Sequence, residues 1–198
     1  EFNNLQVKHS LFQPMESIQI SNKGNTLLVN PRLVFNNRGR WFTIDQMANE
    51  AFYGAKNEKE KALFLWRFIV QNRIHKRSTE IPWWNPRSAL RILGVYGYGQ
   101  CGDAATVMLH LSSRLTDKFQ GLIMYGHVMG EVNFGTKNMY LDPDIETFYY
   151  QLDNTTIAGK EEITNDRYLI YRTSHYGKNY GNNPETNLFV SRLFDEND

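Results

Sequence analysis

The sequence holds one cysteine and five histidines. A single cysteine cannot form an internal disulfide and cannot build a zinc site alone, so Cys101 is either an inert buried thiol or a nucleophile. Its surroundings favour chemistry. Cys101 lies in Gly97–Tyr98–Gly99–Gln100–Cys101–Gly102–Asp103, and a strong helical pattern follows from Ala104 to Leu115. Glycines allow a sharp turn and close backbone approach. A cysteine leaving such a turn meets the unpaired amides and positive dipole of a helix start, which favour thiolate over thiol and can also receive an oxyanion. The bland alternative is a tight strand-to-helix packing turn.

A thiol nucleophile needs a base, and the base needs an orienting group. His9 lies in an irregular stretch, His75 in a basic helix end, and His175 in a polar tail. His110 is nine residues along the nucleophile's own helix, well over ~10 Å away at ~1.5 Å per residue. His127 alone opens a candidate strand, His127–Val132. A turn centred near Gly135 joins it to Met139–Asp142, and Asp142 is expected opposite His127 or within one step of it. Cross-strand neighbours there are close enough for a carboxylate to accept the imidazole N–H and fix its tautomer. The alternatives are a core histidine for His127 and a turn residue before Pro143 for Asp142.

The rest of the chain must position these groups. Apolar residues make up 41% and charged residues 22% of 198, which suits one globular domain with a core. The net charge is +1 and no basic block of five or more occurs, so no nucleic-acid partner is expected. Arg73–Ile74–His75–Lys76–Arg77 is read as a solvated helix end. No apolar run approaches the ~20 residues of a membrane span. The chain opens at Glu1–Phe2 without Met and is read as excised or processed. With abundant Asn, Tyr and Thr, that start suggests a location outside the cytoplasm, at a cell surface or in a periplasm.

Residues 1–50 are read as an N-terminal wrap of loops and short strands (17–20, 26–29, 33–35, with a turn at 36–39), residues 51–150 as the catalytic core, and residues 151–198 as a polar extension packing on it. Helices are expected at 45–53, at 57–74 with Asn57 as its cap, and at 88–93 with Gly94 ending it. Strands are expected at 119–125, 127–132 and from 139. This order gives an α+β arrangement with the helices on one side of an antiparallel meander.

The motifs resemble those of the transglutaminase-like superfamily. Tyr98–Gly99–Gln100–Cys101 matches the YGQC string around the nucleophile of animal transglutaminases. His127–Val128–Met129–Gly130–Glu131–Val132 resembles the family's H-x-W-x-E-V strand. Tyr140–Leu141–Asp142–Pro143 resembles its L-D-P-T strand. The 57–74 helix with Trp66 resembles the helix preceding the nucleophile in bacterial members. The likeness covers roughly residues 50–150. It implies a papain-like α+β core, a nucleophile helix packed on an antiparallel sheet, with Cys101 as nucleophile, His127 as base and acid, and Asp142 as orienter. It also implies that the Cys101 amide is an oxyanion donor.

Gln100, Trp83 and Trp84 are candidates for the second donor, although Trp83–Trp84 reads equally well as a core plug or cleft wall. Gly102 stands where animal enzymes carry Trp, and Met129 replaces an aromatic; both are expected to line the cleft. No metal or other cofactor is expected, because the acidic residues near Asp142 lack a calcium-loop pattern. The implied activity is acyl transfer from amide bonds of a protein or peptide substrate through a thioester, with hydrolysis favoured. A crosslinking transglutaminase and a non-catalytic binding module on the same fold remain as alternatives.

Overall fold

The computed structural model describes residues 19, 21–27, 41–76, 87–124, 126–172 and 184–195. Most of the expected N-terminal strands, the 36–39 turn, His9, Trp83, Trp84 and His175 lie outside them. Two units are distinguished, residues 1–33 and 34–198. In the first, Asn22 closes a turn, its side chain accepting from Gly24 N at 2.9 Å and donating to Thr26 O at 2.6 Å.

The second unit begins its described helices with α1, Ile44–Ala51, whose first turn is capped by the Thr43 hydroxyl on Gln46 N. Helix α2, Glu58–Asn72, starts where expected: Asn57 Oδ1 accepts from Glu60 N at 2.9 Å. It stops two residues before the expected end. Arg73 turns to extended backbone because Ile74–His75, strand β1, pairs in parallel with Tyr98–Gly99, strand β2. Ile74 N and Lys76 N donate to Gly97 O and Gly99 O. The expected basic helix end is therefore a strand beside the turn that precedes Cys101.

Helix α3, Ala89–Arg91, is capped by Ser88 and does not end at Gly94. It widens into a π-helical turn, Ile92–Tyr96, closed by the Gly97 N–H on Ile92 O. Gly97 is the true stop, with φ of +69°, a conformation that side chains other than glycine rarely adopt. Helix α4 spans Cys101–Ser112, three residues earlier than the apolar pattern from Ala104 suggested.

Strands β3 (Phe119–Met124), β4 (His127–Val132) and β5 (Met139–Leu141) form an antiparallel sheet in that order, so the architecture is α+β. Alternation along the strands gives the sheet two buried faces. Val132, Met139 and Leu141 pack with Met47 of α1, Leu65 and Ile69 of α2, and Val107, Met108 and Leu111 of α4. Leu122, Met124, Met129 and Tyr140 pack in a second core against α5 (Lys160–Asn165), α6 (Tyr168–Tyr171) and α7 (Pro184–Asp195). The expectation of helices on one side is corrected: helices cover both faces. The second layer supplies Ile163, Leu169, Ile170, Val190, Leu193 and Phe194 from a stretch whose apolar residues are sparse in sequence. Among the described residues no helix is long and apolar enough to cross a membrane.

Candidate active site

Gly99 permits the turn before Cys101 by close approach. A Cβ there would lie 2.7 Å from the Asp103 side chain. Asp103 is held in place, its carboxylate accepting from Gln100 N at 2.9 Å and pairing with Arg87 at 3.1 Å. This fixes the entry to α4 and sets Cys101 in its first turn, where the thiol remains partly accessible. The amides of Asp103 and Ala104 bond to Gln100 O. Those of Cys101 and Gly102 have no hydrogen bond among the described residues, as befits the first amides of a helix.

The structure brings Cys101, His127 and Asp142 together. His127 Nε2 lies 2.6 Å from Asp142 Oδ2, with His127 only 5% and Asp142 0% exposed. Nδ1 is thereby left for the thiol, and a ring nitrogen of His127 lies within 4.8 Å of Cys101 Sγ. Hydrogen bonding to His127 holds the thiol below its ordinary range, against burial and assisted by the Val128 amide. Burial opposes charge on His127, but its bonds to Asp142 and Cys101 outweigh that and raise the ring to about 10. Both directions favour a thiolate–imidazolium pair.

Asp142 is fixed on every side. Its Oδ1 accepts from Asp144 N at 3.0 Å and Ile145 N at 3.2 Å, and Oδ2 takes the Tyr140 hydroxyl at 3.4 Å. Its backbone exchanges two hydrogen bonds with Thr147 and accepts from the Trp66 indole at 3.2 Å. The hairpin register differs from expectation. Gly130 pairs with Leu141, so continuing that ladder sets Asp142 opposite Met129, two residues from His127 and on the same face. The contact is a diagonal one, longer in register than expected but on the correct side.

The remaining expected site residues divide. Gly102 is half-buried, and a Cβ on it would meet nothing within 4 Å, so space is open beside the thiol. Gln100 is half-buried beside Cys101, but its amide is spent on Asp103, which leaves only its carboxamide as a donor. Met129 is corrected: it is 1% exposed in the second core and lines no open cleft, because it shares the His127 face that Tyr140 and α7 cover. Phe189 of α7 closes on that face, 5.7 Å from the His127 ring edge-on.

Three residues of the site escaped the sequence reading. Asp144 is 3% exposed, and one of its oxygens lies within 4.8 Å of both Cys101 Sγ and a His127 nitrogen. Buried Arg73 pairs with it at 2.6 Å and also donates to Gly99 O at 2.6 Å. His75 places Nδ1 2.8 and 2.9 Å from the two carboxylate oxygens. One signal was present: Asp144 stands where the L-D-P-T pattern has Thr. His75 and Arg73 carried none, because their position depends on the β1–β2 pairing of segments more than twenty residues apart. The atoms of Cys101, His127 and Asp144 are near enough to hold a thiophilic divalent ion such as zinc. A separate cavity of about 230 Å³, lined by Lys118, Phe119, Gln120, Glu131 and Asn138, lies at the other end of the β3–β4 hairpin.

Comparisons against protein-family models, curated proteins and solved structures find no match.

Proposed function

We propose that the chain is a cysteine-nucleophile enzyme that opens amide bonds through a thioester, with a papain-like core of the transglutaminase-like kind, and that water is its preferred acyl acceptor. The observation that carries this reading is the buried 2.6 Å His127–Asp142 bond with a nitrogen of the same ring within 4.8 Å of the Cys101 thiol. The Cys101 thiolate attacks the amide carbonyl. The developing oxyanion turns toward the Cys101 and Gly102 amides at the start of α4. His127 gives its proton to the departing amine, leaving an acyl thioester and a neutral imidazole. Attack by water releases the acid and returns the thiolate. A primary amine in place of water would give transamidation, and a thiol without turnover would mark a binding module.

The test is intact-mass analysis after iodoacetamide treatment at pH 6, with and without a competing peptide library, followed by product analysis of the library. Rapid labelling confined to Cys101, slowed by the library, together with cleaved or deamidated products, is the expected result. Labelling as slow as that of free cysteine, with no product, overturns the enzyme reading.

A further inference from the structure

The Cys101–His127–Asp142 set leaves the Arg73–Asp144–His75 group without a task. A buried carboxylate near a thiolate opposes its charge, and Asp144 does push the thiol upward, though less than His127 lowers it. Such a group is costly unless it is paired, and it is paired twice. Arg73, tied to Gly99 O, Pro143 O and Asp144, balances its charge. His75 then closes on both of its oxygens. The β1–β2 pairing sets His75 level with Gly99, two residues before the nucleophile.

The two histidines differ in access. His127 is 5% exposed and faces Phe189, whereas the His75 side chain is 48% exposed. Asp144 accepts at His75 Nδ1, which fixes the tautomer whose Nε2 carries a lone pair. This repeats the logic of an oriented imidazole base, on a half-exposed side chain one carboxylate removed from the Cys101 thiol.

We propose that His75, oriented by Asp144, is a second general base of the site, acting on the acyl acceptor in the step that clears the thioester. This rests on the cysteine-nucleophile reading above. The acceptor, water or a primary amine, gives a proton to His75 Nε2 as its oxygen or nitrogen attacks the thioester carbonyl. The tetrahedral intermediate then expels Cys101 as thiolate, and the proton on His75 is exchanged through solvent for one on His127, which restores the imidazolium that the next acylation uses. His127 serves the opposite half of the cycle, protonating the first leaving group from its enclosed position.

An activated p-nitrophenyl ester separates the two halves, because nitrophenol appears in a burst on acylation and then at the deacylation rate. In His75→Ala the burst amplitude and rate stay within twofold of wild type, while the later rate falls by about 10²-fold, the lower end of general-base effects. Added imidazole restores it in proportion to concentration, and Asp144→Asn lowers the same phase. Loss of the burst in parallel with the later rate, an unchanged later rate, or no rescue by imidazole overturns the proposal. If Cys101→Ala releases nitrophenol as wild type does, the cysteine-nucleophile reading fails first, and that outcome is distinct.

Discussion

Asp142→Asn is the sharpest perturbation of this site, because it changes one proton-bearing atom and almost no volume. Oδ1 persists and still accepts from the Asp144 and Ile145 amides. The atom facing His127 Nε2 at 2.6 Å becomes an N–H donor, so Nε2 must accept. The imidazole proton is then forced onto Nδ1, the nitrogen left for the thiol. A histidine already protonated there cannot take the thiol's proton, and it loses the carboxylate that supported its charge. The exchange removes the two hydrogen bonds that Oδ2 accepts, from His127 and from the Tyr140 hydroxyl, of which the charge-assisted first costs about 2 kcal/mol, and keeps the Oδ1 bonds.

If the thiol returns to an ordinary value near 8.5, only about 0.3% of it is thiolate at pH 6. Alkylation by iodoacetamide at that pH should fall by up to about 300-fold, and amide turnover by as much as about 10⁴-fold, the effect of the equivalent exchange in a serine triad. Intact mass against time measures the first, and thermal unfolding monitors the fold. A folded variant that alkylates at the wild-type rate at pH 6 would show that Asp142 does not set the state of His127, and the reasoning would be wrong.

Three further outcomes are expected. Filling the open space beside Gly102 with Gly102→Trp should raise the ratio of amine adduct to hydrolysed product about several-fold by excluding water, read by mass spectrometry with a glutamine peptide and a primary amine, with hydrolysis dominant in the parent. Zinc at one equivalent should block alkylation of Cys101 reversibly by chelator, and Asp144→Asn should weaken that block by about tenfold; an unchanged block removes Asp144 from the ligand set. For pH, the His127 contribution is fully present below the unfolded value near 6.5 and is lost as pH rises through about 10, whereas that of the depressed Cys101 is lost as pH falls. Above about 8.5, where an unfolded thiol is also ionised and only His127 still differs between the two states, unfolding free energy from urea titration should decline toward pH 10, and Asp142→Asn should abolish that alkaline decline.

What the sequence made legible was local. The strand His127–Val132 has its expected bounds because alternation and a terminal turn mark both ends. Asn57 caps α2 as its residue type suggests. Where tertiary pairing decides, the reading failed. Nothing near residues 73–77 shows that Ile74–His75 will leave the helix for Tyr98–Gly99, because that exchange depends on backbone hydrogen bonds. Gly94 looked like a helix stop, but the π-helical turn carries the chain past it to Gly97. The second core stayed hidden because α5 and α6 have 6 and 4 residues, too few to display a helical period.

The placement of α7 has a temporal consequence. Phe189 closes against His127 and Phe194 against Tyr140, and Tyr140 in turn contacts Asp142. All three proposed triad groups are synthesised by residue 142, yet the layer that seals the histidine's face comes more than forty residues later. A chain emerging from the ribosome would carry thiol, imidazole and carboxylate before the ring's outer face is covered, and the docking of α7 then excludes water from that face, while the support for the ring's charge comes from Asp142. Arrested chains ending between 142 and 184 should therefore leave His127 open to diethylpyrocarbonate, while chains extended past 195 should shield it. Translation itself would set the order in which the site is built and then closed.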